Sequence, residues 1–371
     1  MNPLYKDQLW MRQALHLALL AEGKTAPNPM VGAVLVYRER IIGRGWHHRA
    51  GTPHAEVHCI QSVAEEDQQW IAHSTMYVTL EPCSHFGRTP PCSDFIIAHK
   101  VPRVVIACRD TFSAVNGSGI RKLTEAGIEV VLDILKPEAR WINRRFFTFH
   151  EQKRPYVMLK WAHTADGKMG SGTDRRLMIS NAFSNRWVHR LRTSNQAVII
   201  GSGTAMQDRP LLDNRLYPDG IAPVKVILDA SGAVDPGIPL FQNGASSLIF
   251  TRNESLKGRF SDHPAVEVLY SGRGWSIEAV LKVLYEQRIQ SVLVEGGKQV
   301  LEEWIRDGVW DEAWTIRSDT AFEDPGLAAP GLTRARLQDQ FYIERDIISQ
   351  FVHQENEYYL QDDYSTGGRD I

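Results

Sequence analysis

Residues 45–63, GWHHRAGTPHAEVHCIQSV, and residues 74–97, STMYVTLEPCSHFGRTPPCSDFII, decide how the first half of the chain reads. Gly51-Thr52-Pro53 signals a loop, and the apolar spacing from His54 predicts a helix over 54–66. STMYVTL (74–80) reads as a strand, and CSDFIIAHK (92–100) as a second helix. Working outward, Leu9, Ala14, Leu15, Ala18 and Leu19 lie at helical spacing, while VGAVLVY (31–37) and RIIGRGW (40–46) read as strands. RVVIAC (103–108), IRKLTEAG (120–127) and IEVVLDI (128–134) continue as strand, helix and strand. Such alternation predicts an α/β domain with a largely parallel sheet and helices on both faces.

At 371 residues the chain exceeds what one hydrophobic core usually organises, so two domains are expected. The charged stretch HEQKRP (150–155) separates the aromatic run Phe146, Phe147, Phe149 from a new strand, PYVMLKWA (155–162). The expected division is therefore a first domain over 1–149, a linker over 150–155, a second domain over 156–362 and a polar tail over 363–371. In the second domain, QAVIIG (196–201), VKVILD (224–229), SSLIFT (246–251), VEVLY (266–270) and SVLVEGG (291–297) read as strands. ISNAFSNRWVHRLR (179–192), SIEAVLKVLYEQR (276–288) and KQVLEEWIRDG (298–308) read as helices. Hydrophobic residues at 43%, charged residues at 23% and a formal net charge of −2 describe an ordinary folded enzyme without the basic field that nucleic-acid binding needs, so a small substrate is expected. No run of about 18 apolar residues appears and the N-terminal stretch carries charges throughout, which argues against a membrane span or secretory signal and for a cytoplasmic protein.

The chemistry concentrates in His54-Ala55-Glu56, Pro82-Cys83 and Pro91-Cys92. Zinc takes soft thiolate and imidazole ligands in a tetrahedron, and one His with two Cys leaves the fourth place for water. Cys92 stands at an expected helix start, where a thiol is more readily deprotonated. Two thiolates and a neutral imidazole cancel the formal charge of zinc, so the metal acidifies its water less than a three-histidine site would, and a base is useful. Glu56, two residues past His54, can carry the proton, the arrangement of zinc deaminases of nucleobases. An H-x-E alone is more often part of a surface helix, and a structural zinc site would close with a fourth ligand, for which His85 is the main rival. Cys59 and Cys108 fall in apolar stripes and read as core.

The second domain says less by itself. Glu295-Gly296-Gly297 ends a strand and leads into a helix, which suits a phosphate and equally a plain turn. Gly201-Ser202-Gly203-Thr204 is a weak G-x-G. Lys160, Asp166, Arg192 and Arg215 read alone as solvated charges or phosphate grips.

PNPMVGAV (27–34), GWHHRAGTPHAEVH (45–58), YVTLEPCSHFGRTPPC (77–92) and VNGSGI (115–120) together resemble the deaminase half of the bifunctional riboflavin-biosynthesis family. The resemblance implies a cytidine-deaminase-like three-layer α/β/α domain, with zinc on His54, Cys83 and Cys92 and the proton carried by Glu56. It further implies that Asn28 and His47 hold the substrate, that Arg88 lies by its phosphate, and that His85 belongs to the rim. The spacing PCSHFGRTPPC differs from the PC-x-x-C of nucleic-acid deaminases, an alternative the charge also disfavours. LKWAHTADGKMG (159–170), VHRLRTSNQAVIIGSGTAMQDRPLLDNR (188–215), VILD (226–229) and VLVEGG (292–297) resemble the reductase half of the same family, similar in fold to dihydrofolate reductase and using NADPH. Lys160, Arg192, Leu212, Arg215 and Glu295 would then contact the ribosyl substrate, and Ala162, Met178, Thr204, Asp208 and Gly297 would lie along the cofactor. Met178 stands where this family usually has tryptophan, Arg209 where Asp or Asn is usual, and Asp213 where threonine is common. The alternative these departures raise is a second domain that has lost hydride transfer. A homo-oligomer formed through the reductase domain is also implied.

Overall fold

A computed structural model of the chain describes residues 2–84, 90–111, 117–170, 178–217, 220–242, 244–272, 274, 276–321 and 326–358. The chain divides into two compact units, residues 1–152 and 153–358, and the polar tail expected over 363–371 lies outside the described residues.

In unit 1 the elements are α1 (Pro3–Leu19), β1 (Gly32–Tyr37), β2 (Arg40–Trp46), α2 (Ala55–Gln61), β3 (Thr75–Val78), α3 (Cys92–Ala98), β4 (Arg103–Ile106), α4 (Ser118–Glu125), β5 (Glu129–Val131), α5 (Lys136–Ile142) and α6 (Arg144–Gln152). The sheet order is β2-β1-β3-β4-β5. The expectation of a largely parallel sheet needs correcting, since β1 pairs antiparallel with both β2 and β3 and only β3-β4-β5 run parallel. The cause is a two-residue reversal at Arg38 and Glu39, both at positive φ (45° and 65°), the backbone a tight hairpin turn demands.

The buried stripe of α1 is Met11, Ala14, Leu15 and Ala18, an i, i+3, i+4, i+7 set. Leu9 (38% exposed) and Leu19 (45%) of the expected stripe lie outside it. Asp7 joins the buried face because it accepts from Tyr77 Oη at 2.9 Å and takes two bonds from Arg103. Residues 54–66 do not form one helix: α2 stops at Gln61, where the Ser62 hydroxyl donates to the Cys59 carbonyl and accepts from Arg44 N–H, and 65–73 is a 3₁₀ segment. Residues 150–152, read as linker, complete α6 because the aromatic run Phe146, Phe147 and Phe149 is the buried face of that helix.

Helices cover both faces of the sheet. α2 lies on the face that carries Ala33 and Leu35, closing a core with Ala55, Cys59, Ile60, Met76, Val78 and Ile96, while on the other face the Ala14 carbonyl of α1 sits against Gly32. Gly45 lets α2 lie this close, because a Cβ there would stand 2.3 Å from Cys59 N and 2.4 Å from the Ala55 carbonyl.

Unit 2 comprises β6 (Tyr156–His163), β7 (Lys168–Gly170), α7 (Ala182–Thr193), β8 (Ala197–Gly201), α8 (Ser202–Asp208), β9 (Val224–Asp229), β10 (Ser247–Thr251), α9 (Leu256–Arg259), β11 (Val266–Tyr270), α10 (Ile277–Glu286), β12 (Ser291–Gly296), α11 (Lys298–Asp307), β13 (Glu312–Arg317), β14 (Leu327–Ala328), β15 (Ala335–Ile343) and β16 (Asp346–His353). Its main sheet has the order β11-β10-β9-β8-β12-β6-β13-β16-β15. Pairing is parallel from β11 to β13 and antiparallel across β16 and β15. Alternate strand residues enter two cores, Val157, Leu159 and Ile199 on one face and Met158, Val198 and Ile200 on the other. This is why the central strands read as unbroken apolar runs.

Candidate active sites

In unit 1 the start of α2 and the start of α3 bring the chemistry together. His54 is the N-cap of α2, in extended backbone, and Glu56 sits in that helix's first turn. Cys92 is the first residue of α3. Cys83 follows β3, with its sulfur accepting from Cys92 N–H at 3.3 Å and its carbonyl accepting from Ser93 N–H at 3.1 Å. Cys83 Sγ lies 3.6 Å and Cys92 Sγ 3.3 Å from His54 Nδ1, and the ligand atoms of the three residues all fall within 4.8 Å of one another. That spacing fits a tetrahedral ion of soft-ligand preference.

The hydrogen bond from the Cys92 thiol pulls Cys83 down to about 4 and pushes Cys92 up. Two thiolates this close repel, and a dication among them removes the repulsion. Glu56 is 3% exposed, and burial raises its carboxyl to about 7. Its Oε2 meets no hydrogen-bond donor among the described residues. A buried carboxylate oxygen left open beside a metal group is placed to take a proton from water or substrate.

Asn28 and His47, expected to hold substrate, stand together beside this group. Asn28 Nδ2 lies 3.1 Å from His47 Nε2, and His47 Nδ1 lies 3.2 Å from the Pro53 carbonyl. Burial lowers His47, so the ring is neutral, donating from Nδ1 to Pro53 and accepting at Nε2 from the Asn28 amide. The His47 ring meets the His54 ring edge-on at 5.4 Å. Arg88 and His85 lie outside the described residues.

In unit 2 the sequence-read charges converge over β6, α7 and β12. Glu295 takes bonds from Arg192 Nε (2.5 Å) and Nη2 (2.9 Å), and Lys160 Nζ stands 3.7 Å away. Burial alone would raise Glu295, but the Arg192 and Lys160 charges outweigh it and hold the carboxyl at about 2. Arg192 Nη1 also donates to the Asp213 carbonyl at 3.1 Å, and Arg215, whose side chain is 55% exposed, pairs with the Asp213 carboxylate at 2.6 Å. Leu212 is 3% exposed with φ 49°, in the left-handed region, and packs into the core of unit 2. Of the cofactor set, Thr204 Oγ1 accepts from Gly297 N–H at 2.9 Å, which ties α8 to the start of α11. Gly297 is the N-cap of α11, which has no side-chain cap. Ala162 is half-buried on β6, Asp208 ends α8, and Met178 is 67% exposed.

The match to known proteins covers both units. The family model "Cytidine and deoxycytidylate deaminase zinc-binding region" matches residues 4–108, and "RibD C-terminal domain" matches residues 155–316. The riboflavin biosynthesis protein RibD of Aquifex aeolicus is 40% identical over 306 residues, 82% of this chain and 85% of its own length. That of Escherichia coli is 33% identical over 320 residues, 83% of this chain and 86% of its own. The chain belongs to the RibD family. A Thermotoga maritima structure described as a diaminohydroxyphosphoribosylaminopyrimidine deaminase/5-amino-6-(5-phosphoribosylamino)uracil reductase is 33% identical, with a TM-score of 0.84 over 95% of this chain and all of that one. RibD of Acinetobacter baumannii superposes equally well at 30% identity, covering 94% of this chain. As in that family, a deaminase-like three-layer domain precedes a dihydrofolate-reductase-like one.

Two groups in these sites escaped the sequence reading. Glu81 is 4% exposed and accepts four backbone N–H groups, from Asp110, Gly117, Gly119 and Ile120. His189 is 1% exposed, with Nδ1 4.0 Å from Asp213 Oδ1; burial first, then the Arg192 and Arg215 charges, lowers it to about 4. The acidic Glu81 beside Pro82-Cys83 was a visible signal, but its backbone partners were not.

Proposed function

We propose that unit 1 removes the 2-amino group of 2,5-diamino-6-ribosylamino-4(3H)-pyrimidinone 5′-phosphate by hydrolysis. Unit 2 then reduces the ribosyl group of the product, giving 5-amino-6-ribitylaminouracil 5′-phosphate, so that the chain carries out two steps of riboflavin biosynthesis. Zinc and NADPH are the cofactors; when bound, the first supplies a Lewis acid for water and the second a hydride. The observation that carries the reading is Glu56, a buried carboxyl raised to about 7 with an open oxygen, beside the three-residue group His54, Cys83 and Cys92.

The residues fit both cofactors. Two sulfurs and one imidazole nitrogen are a zinc donor set. The uncapped N-terminus of α11, held against Thr204, leaves backbone N–H groups for a dinucleotide phosphate, and Ala162, Asp208 and Met178 extend the same cofactor reading.

In the deaminase step Glu56 accepts a proton from water and returns it to the leaving amine, so that water adds and ammonia departs with no net change in the carboxyl. The His47 bond fixes the Asn28 amide, which leaves Asn28 Oδ1 to accept from a ring or amino N–H of the substrate. Arg88 serves the phosphate. In the reductase step Lys160, Arg192 and Glu295 orient the ribosyl hydroxyls as one preorganised network, with Arg215 and Leu212 at its margin. A homo-oligomer formed through unit 2 belongs to the same reading; β15, which ends the sheet order, leaves Leu337 (50%) and Tyr342 (69%) exposed in support of it. So does a cytoplasmic setting, in which the free thiols of Cys59 and Cys108 stay reduced.

The test is a coupled assay on zinc-loaded protein with the diaminopyrimidine ribotide, following ammonia and NADPH absorbance together. Ammonia release followed by NADPH consumption is expected. Ammonia with a flat absorbance trace would reduce unit 2 to a structural module, and neither signal would overturn the reading.

A further inference from the structure

Two residues before the Cys83 ligand, Glu81 has its carboxylate fully occupied by backbone. Oε2 accepts from Asp110 N–H at 3.3 Å and Gly117 N–H at 3.1 Å, and Oε1 from Gly119 N–H at 3.0 Å and Ile120 N–H at 3.3 Å. Gly117 is the N-cap of α4 and has no side-chain cap of its own, so Glu81 satisfies donors that the helix start would otherwise leave open. The contact is close along the whole turn. A Cβ at Gly119 would stand 1.9 Å from the Pro82 carbonyl and 3.3 Å from Glu81 Oε1, and Ser84 Oγ meets Ser118 Oγ at 2.5 Å. Behind Glu81, its own N–H donates to the Cys108 carbonyl just past the end of β4. Residues 81–84 are thus held between the sheet and the start of α4.

We propose that Glu81 is the positioning residue of the metal group, setting where the Cys83 sulfur stands by docking the start of α4 onto the Glu81–Ser84 turn. Cys83 lies on a loop, and past the ligand its holds come from Cys92 N–H and Ser93 N–H, groups of the other cysteine's helix. Those bonds keep Cys83 near Cys92. The spacing of Cys83 from His54, on a different helix, needs an anchor in the sheet, and Glu81 supplies it. Residues that orient metal ligands in this way typically account for about 10–100-fold in metal affinity.

The proposal rests on His54, Cys83 and Cys92 holding zinc, and the experiment separates the two ideas. Full-length wild type, Glu81→Gln and Glu81→Asp are compared by chelator competition for zinc and by the visible spectrum of the cobalt(II)-substituted protein. Circular dichroism and thermal unfolding of each variant report whether unit 1 has folded, and NADPH consumption by unit 2, with deaminated substrate supplied, controls for the integrity of the rest of the chain. Glutamine keeps the shape, but whichever end its NH₂ takes, that end faces two backbone N–H donors. Aspartate keeps the charge but falls a methylene short. For Glu81→Gln the zinc dissociation constant is expected to rise about 10–100-fold with an altered cobalt spectrum and unchanged unit 2 activity. If Glu81→Gln fails to fold, Glu81→Asp decides by the same readouts. Wild-type affinity and spectrum in a folded variant, even one that melts earlier, would overturn the proposal by making Glu81 a plain fold staple. A wild type that binds no zinc would overturn the ligand reading and the proposal with it.

Discussion

Glu56→Gln is expected to cut ammonia release by about 10²–10⁴-fold, the usual contribution of a positioned proton carrier, while zinc content stays that of wild type. The substitution is nearly isosteric and removes only the capacity to take and return a proton. Because the carboxyl is buried and held near neutrality, with its charged form disfavoured by burial, an uncharged amide suits the site and the fold should tolerate it. Ammonia release and metal content measured on one preparation distinguish a lost proton carrier from a lost metal. A purely structural zinc module would leave both unchanged, having no ammonia release to lose. Unit 2, supplied with deaminated substrate, should consume NADPH at the wild-type rate.

The second large effect belongs to Arg192. Its side chain is 13% exposed and that of Glu295 8%, so among the described residues Arg192→Ala leaves a buried carboxylate with Lys160, 3.7 Å away, as its cation. Removing one partner of a buried pair is expected to destabilise unit 2 by about 3–5 kcal/mol. The pH dependence follows from the sign of the shift. Glu295 is held at about 2, below its ordinary 4.5, so its contribution is fully present above the unfolded value and is lost as pH falls toward 2. Denaturant unfolding of wild type should weaken over that acid window, and the Arg192→Ala variant should lose most of this dependence. Arg192→Met with Glu295→Met is expected to recover much of the stability and none of the NADPH consumption, because apolar side chains can replace a buried pair in packing but cannot orient a sugar. Equal activity in the double variant would separate the network from the chemistry.

What could be read in advance followed physical range. The meeting of His54, Cys83 and Cys92, and the place of Glu56 in the first turn of α2, were legible because residue type and local spacing carry that pattern without tertiary information, and their arrangement at two helix starts followed from Thr52-Pro53 and Pro91. The central strands of unit 2 were legible because burial on both faces writes itself as apolar runs. The β1-β2 reversal was not, since Arg38 and Glu39 hold positive φ without the glycine or asparagine that usually announces it. The hairpin of β15 and β16 also escaped, because the alternation Ala335, Leu337, Phe341, Ile343 in ARLQDQFYI is interrupted by Asp339, where a bulge shifts the register against β16. The stripe of α1 was shifted because Asp7, a charged residue, is buried through Tyr77 and Arg103. Lys160, Arg192 and Glu295 were visible only as charges, and their convergence is a product of strand order. Glu81 was hidden for a further reason: its partners are backbone N–H groups, which every residue but proline has.

The chemistry proposed for unit 1 depends on a metal with three protein ligands and one open position. X-ray absorption at the zinc edge of the loaded protein tests this most directly. Two sulfurs at about 2.3 Å and one imidazole nitrogen at about 2.0 Å, with a light fourth atom, are the expected shell. A closed shell of four protein ligands, or one without sulfur, would contradict it.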